Sequence, residues 1–186
     1  MSKRLLYFNL AVNEKDTSLG FAIKWIETIS ENFDHVDVVT LKNVTKSNFT
    51  NSVNIFGAKP SKNKYLKYIY LIKQVRYLTV NNTYDRCFSH MSPISIVLCF
   101  YYLVKNKIKT TLWFTHPGPR FGFKKLILYL SLKFSEYVVT ASESSFPFDS
   151  KKVKVIGHAI DMENFNSRKE VFKFNKFLIL SRISTS

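Results

Sequence analysis

Leu5-Leu6-Tyr7-Phe8-Asn9-Leu10-Ala11 is a near-continuous apolar run, followed across the polar loop 13–18 by a segment with helical periodicity. A strand with one wet face alternates apolar and polar residues, whereas a strand apolar on both faces belongs in a parallel sheet covered by helices on each side. In residues 19–30 the positions Leu19, Ala22, Ile23, Ile26 and Ile29 form one stripe, flanked by Phe21 and Trp25 and preceded by the caps Thr17 and Ser18. A buried strand leading into an amphipathic helix is the opening unit of an α/β fold.

The unit recurs towards the end of the chain. Residues 35–41 and 53–58 read as strands, the second ended by Gly57 and Pro60. Residues 61–78 read as a helix that mixes Leu66, Ile69, Tyr70, Ile72 and Val75 with Lys62, Lys64, Lys67, Lys73 and Arg76, so its exposed face is basic. Further strands are predicted over 85–90, 110–115, 136–140 and 152–156, with helices over 93–105, which has a proline in its first turn, and 123–134. This succession predicts a Rossmann-like, doubly wound, mostly parallel sheet with ligands at the carboxyl ends of its strands. The polar stretch 162–176 reads as a linker, and residues 177–180 open a new apolar strand, which needs a sheet to join. Residues 1–161 are therefore expected to form one domain, and 177–186 the first strand of a second domain that is absent.

The chain has 186 residues, 46% of them hydrophobic and 22% charged, enough to build a core. Its formal charge of +15 favours an anionic partner, although the abundance of Lys, Asn, Ile, Phe and Tyr expected of an AT-rich gene accounts for the excess equally well. Cys87 and Cys99 have neither metal-ligand spacing nor a disulfide framework and are expected to be buried, reduced thiols. The N-terminal apolar run is interrupted by Asn9 and lacks a small-residue cleavage site, so it is not a signal peptide. The longest apolar run, 93–104, is too short for a membrane span. These features predict a cytoplasmic protein in which the Asn-x-Thr sites at Asn43, Asn48 and Asn81 are chance matches.

Two histidines fall where this architecture places ligands. His90 ends Arg86-Cys87-Phe88-Ser89-His90, and His116 ends Leu112-Trp113-Phe114-Thr115-His116, with Pro117-Gly118 holding the second loop close to a bound molecule. Each histidine can contact a substrate hydroxyl or phosphate and exchange protons near neutral pH; bonding to a neighbouring backbone group is the alternative. After the first strand, a dinucleotide site would carry G-x-G-x-x-G, but the loop has only Gly20, which argues against nicotinamide or flavin cofactors. The amides of Thr17, Ser18 and Leu19 can still meet an anion at a helix N-terminus, or simply belong to a capped loop. Glu14, Asp16, Glu143, Asp149 and Asp161 are scattered and form no glycosidase pair, and Ser142 and Ser144 lack a nucleophile elbow. No metal-ligand cluster is expected. Nucleic-acid binding lacks its motifs, namely an aromatic RNP-type strand, a zinc knuckle or a G-x-x-G loop. The helices 62–76 and 123–134 combine basic residues with Phe, Tyr and Leu, a pairing that suits an anionic membrane surface or merely reflects solvated lysines around a packed face.

In order and spacing, four segments resemble the family 4 glycosyltransferases, retaining sugar transferases of the GT-B fold. They are Asp85-Arg86-Cys87-Phe88-Ser89-His90; Phe114-Thr115-His116-Pro117-Gly118; Glu136-Tyr137-Val138-Val139-Thr140-Ala141-Ser142; and Val153-Lys154-Val155-Ile156-Gly157-His158-Ala159-Ile160-Asp161 followed by Phe165. The resemblance implies that the chain is the N-terminal half of a GT-B fold, the acceptor-side domain of an enzyme whose nucleotide-sugar donor is bound mainly by the other half. It places His116 towards the donor sugar or reacting centre, the loop around Ser18 and Gly20 near donor phosphates or acceptor, and His90 and Asn13 on the acceptor side. Arg182 in Ser181-Arg182-Ile183-Ser184 matches the arginine that holds the donor diphosphate, where a guanidinium neutralises developing charge. His158-Ala159 stands where the family has Asn-Gly, Ser181 stands for Gly, and the glycine pair after the first strand is reduced to Gly20. The expected activity is transfer of a hexose-type sugar to a glycan or lipid-linked acceptor, with the 186 residues alone inactive. The alternative is a non-catalytic basic α/β module that binds an anionic membrane or polymer.

Overall fold

Arg4–Asn9 (β1) has a parallel neighbour on each side, His35–Thr40 (β2) and Arg86–His90 (β4). The structure, a computed structural model, describes residues 2–13, 21–42, 49, 52–58 and 63–157. Within them the strands form one seven-stranded sheet in the order β3-β2-β1-β4-β5-β6-β7, where β3 is Val53–Gly57, β5 Lys109–Trp113, β6 Tyr137–Thr140 and β7 Val153–Val155. Every pairing is parallel. The helices are Phe21–Ser30 (α1), Lys64–Asn81 (α2), Pro93–Lys105 (α3) and Phe123–Phe134 (α4).

The double apolarity of β1 is used as the sequence predicts. Leu5 and Tyr7 face α1 in one cluster with Ile26, Val36 and Val38. Leu6 and Phe8 face the other way, into the larger cluster with Leu71, Ile96, Leu112, Leu128 and Val138 under α2, α3 and α4. Burying each such side chain contributes about 2 kcal/mol. Cys87 and Cys99 are buried free thiols in this larger core, and burial pushes the Cys99 thiol up to about 12 and Cys87 well above its usual value.

Differences from the sequence reading lie at element ends and have local causes. β1 stops at Asn9 because that side chain closes a turn: its amide donates to the Ala11 carbonyl at 3.1 Å, and its Oδ1 accepts the Leu10 N–H at 2.9 Å. α2 runs three residues past 78, since Thr79 is buried with its hydroxyl on the Val75 carbonyl and Asn81 bonds the Tyr77 carbonyl. A 3-10 turn, Glu143–Ser145, was not expected. The predicted linker 162–176 and strand 177–180 lie outside the described residues.

Charges pair at the amino edge of the sheet. The buried Asp37 carboxylate accepts from the Tyr84 hydroxyl at 2.6 Å and the Asn54 amide at 2.9 Å, with Arg4 Nη1 at 3.7 Å. Arg86 and Lys109 both reach Glu136, at 2.7 and 2.9 Å. Hydrogen bonds from Lys109 are the main reason the Glu136 carboxyl titrates below its ordinary value.

Candidate functional site

Strand order reverses between β1 and β4: the chain builds outward from β1 to β3, then returns to the other side of β1. The loops diverge at such a point and leave a crevice at the carboxyl ends, where open α/β sheets bind ligands. The register pairs Phe8 with Ser89, which brings the next residues, Asn9 and His90, side by side at that crevice. His90 Nδ1 lies 3.1 Å from Asn9 Oδ1. Because the Asn9 amide nitrogen is spent on Ala11, the facing atom is an acceptor, so Nδ1 carries the ring proton. His90 is 1% exposed and packs against Trp25 of α1, the rings tilted with centroids 5.2 Å apart, and Trp25 also contacts Trp113 at 4.9 Å. Burial lowers its pKa to about 4, so the imidazole is neutral at pH 7.

The backbone beyond His90 is strained. Met91 has φ +54°, the left-handed region that costs a non-glycine residue about 1 kcal/mol. Three hydrogen bonds hold the turn: Met91 N–H donates to the Trp113 carbonyl at 2.9 Å, Ser89 Oγ to the Ser92 carbonyl at 2.9 Å, and the Ser92 and Ser95 hydroxyls meet at 2.7 Å.

His116 has a different setting. It lies three residues beyond the end of β5, exposed, edge-on to Phe114 at 6.1 Å. Its loop is anchored at Gly118, where φ is +75° and a Cβ would come within 2.8 Å of Pro147 Cγ and 3.1 Å of Leu128 Cδ2. On the next strand end, the Ser142 hydroxyl meets those of Ser144 and Ser145 at 3.2 and 2.6 Å.

The carboxyl rim thus gathers Asn9, Asn13, His90, His116 and the Ser142–Ser145 hydroxyls from neighbouring strand ends, hydrogen-bonding groups suited to a hydroxyl-rich ligand. Asn13 is half-buried in the loop after β1. Ser18, Gly20 and Arg182 lie outside the described residues. Sequence reading missed Asn9 and Trp25 as members of this group. Asn9 did leave a signal, as the one polar interruption of the first apolar run. Among the described residues no three His, Cys, Asp or Glu side chains converge as a metal site. An open cavity of about 370 Å³ lined by Leu5, Ile29, Phe33, Phe88, Glu136 and Tyr137 lies at the amino edge, away from both histidines, so it is not the histidine site.

No protein-family model matches the chain, and no curated protein matches it in sequence. Solved structures do match it in fold. Anabaena Alr3699/HepE in complex with UDP and glucose superposes with a TM-score of 0.58 at 12% identity, over 91% of this chain and 48% of that one. The same protein with UDP-glucose gives 0.57 at 13% identity, over 89% and 46%. The lipopolysaccharide outer core galactosyltransferase WaaB, in its apo form, gives 0.52 at 9% identity, over 86% and 46%. The chain spans about half the length of these structures, and its sheet is the Rossmann-like half of a GT-B fold, as the sequence predicts.

Proposed function

We propose that the chain is the acceptor-side, N-terminal domain of a retaining glycosyltransferase of family 4, moving a hexose-type sugar from a nucleotide diphosphate donor to a glycan or lipid-linked acceptor in polysaccharide biosynthesis. The observation that carries this reading is the Asn9–His90 pair at the strand-order reversal, with His116 on the next loop along the same rim. The solved relatives of the fold bind UDP and UDP-glucose, which supports a nucleotide-sugar partner. A cytoplasmic site of action goes with such a donor.

In this reading residues 1–161 are the first domain, 162–176 the linker and 177–186 the opening strand of the donor domain. Asn13 holds acceptor hydroxyls, neutral His90 is on the acceptor side though itself buried, and His116 faces the reacting centre. Ser18 and Gly20 approach the donor phosphates, while Arg182 neutralises the departing diphosphate. The sugar C1–O bond to phosphate breaks, a C1–O bond to the acceptor hydroxyl forms, and the hydroxyl proton leaves towards the diphosphate.

Radiolabelled UDP-hexoses test the reading directly. In a form that carries both domains of this reading, the protein is expected to transfer label to an endogenous acceptor, and His116→Ala to lower the rate about a hundred-fold or more. Transfer by the 186 residues alone would overturn the two-domain account. Full activity in His116→Ala would overturn the assignment of that loop.

A further inference from the structure

The outward stripe of α4 is apolar. Its inward stripe, Leu128, Ser131 and Leu132, is buried as a core-facing helix requires. The opposite stripe of a helix that meets water should be polar. Here it consists of Phe123, Leu126 and Tyr129, 74%, 49% and 40% exposed, and it is extended by Phe121 at 82% in the loop before the helix. Arg120, Lys124, Lys125 and Lys133 flank it, and residues 120–134 contain no Asp or Glu. Lys125 lies over the Phe148 ring at 5.9 Å and Lys133 over Tyr129 at 5.3 Å.

α4 is tied down at its far end, where Lys152 Nζ donates to the Lys133 carbonyl at 2.9 Å and the Ser135 carbonyl at 2.7 Å. Its aromatic end therefore starts on the carboxyl rim of the sheet, beside the loop of His116. α2, which packs on the other side of α3, begins on the same rim and repeats the composition. Tyr65 and Leu66 are 64% and 55% exposed there beside Lys64 and Lys67, and Lys64–Asn81 also lacks an acidic residue.

Exposed aromatic and aliphatic side chains ringed by cations match the boundary of an anionic bilayer, where rings enter at headgroup depth and lysines meet lipid phosphates. We propose that α4 and the Arg120–Gly122 loop dock on an anionic phospholipid bilayer, with the first turns of α2 as a second contact. Apolar exposure alone suits many partners; charge complementarity, with four cations and no carboxylate along 120–134, selects this one. The inference does not depend on sugar transfer. Docking sets the carboxyl rim at the lipid headgroups.

The test is co-sedimentation of the full chain with vesicles of phosphatidylcholine, alone or mixed with phosphatidylglycerol. Binding is expected only to the mixed vesicles and declines as salt rises. Phe121→Ser/Phe123→Ser is expected to lower partitioning at least about thirty-fold, and Lys124→Gln or Lys125→Gln about five-fold each. Tyr77→Ser/Val80→Ser, at exposed positions on the opposite end of α2, leaves binding unchanged. Absence of binding, equal binding to both vesicles, or sensitivity to the Tyr77/Val80 pair in place of the Phe121/Phe123 pair overturns the proposal. A solution dimer abolished by Phe121→Ser/Phe123→Ser also overturns it, since the occupant is then a second copy.

Discussion

The two edges of the sheet use polar residues in opposite ways. At the amino edge the described ion pairs gather: Arg4 with Asp37, and Arg86 and Lys109 with Glu136. At the carboxyl edge the strand ends themselves carry hydrogen-bonding groups, Asn9, His90 and the Ser142–Ser145 hydroxyls, and the loops there hold the positive-φ residues Met91, Gly118, Gly122 and Gly157, while Lys107 has positive φ on the amino side. Parallel strands all point the same way, so every loop that leaves a strand end opens on one edge. The other edge is free to be closed by side-chain contacts. The described ion pairs are concentrated on one side, and the loops that leave the strands and frame the crevice on the other.

That division can be broken one residue at a time. The largest effect is expected at the amino edge: Asp37→Ala leaves the buried Tyr84 hydroxyl and Arg4 without their carboxylate, and should cost about 4 kcal/mol in chemical denaturation. Sugar transfer, on the proposed reading, should be unchanged wherever the variant folds.

At the carboxyl edge the next effect is a pH dependence. The folded state keeps His90 neutral down to about 4, while in the unfolded chain it protonates near the ordinary value of 6.5. Stability is therefore full above 6.5 and is lost as pH falls from 6.5 to about 4, by about 3 kcal/mol. His90→Gln should flatten that part of the stability profile; an unchanged slope would mean that another group titrates there.

Gly118→Ala comes third, at about 2 kcal/mol, because a Cβ at φ +75° meets Pro147. It should also displace the His116 loop, so transfer is expected to fall further than stability accounts for. The smallest effect returns to the amino edge. Glu136→Gln breaks exposed pairs and should cost less than about 1 kcal/mol, vanishing at high salt.

Much of this fold is legible in the sequence because parallel strands announce themselves. The apolar runs of β1 and β2 and the stripes of α1 and α4 carry their own periodicity, and Pro93 marks a helix start without any tertiary information. The site is less legible. His90 and His116 close nearly identical stretches, yet one is buried against Trp25 and the other exposed. What separates them is the ladder: His90 is the last paired residue of β4, opposite Trp113, whereas β5 ends at Trp113, three residues before His116. Register between distant strands decides that, and no local pattern encodes it. The Asp37–Tyr84 contact spans 47 residues and is invisible for the same reason.

Cys87 sits three residues before His90 and Cys99 lies in α3, and these two buried thiols are the chain's only cysteines. Their raised pKa values leave almost no thiolate in the native state, so a thiol reagent can react only when the core opens. The labelling rate is then a clock for opening of the core beneath the histidine pair. A ligand that binds the closed form slows that clock by the factor 1 + [L]/Kd. Candidate ligands of the carboxyl rim can thus be ranked by how long they keep the cysteines hidden.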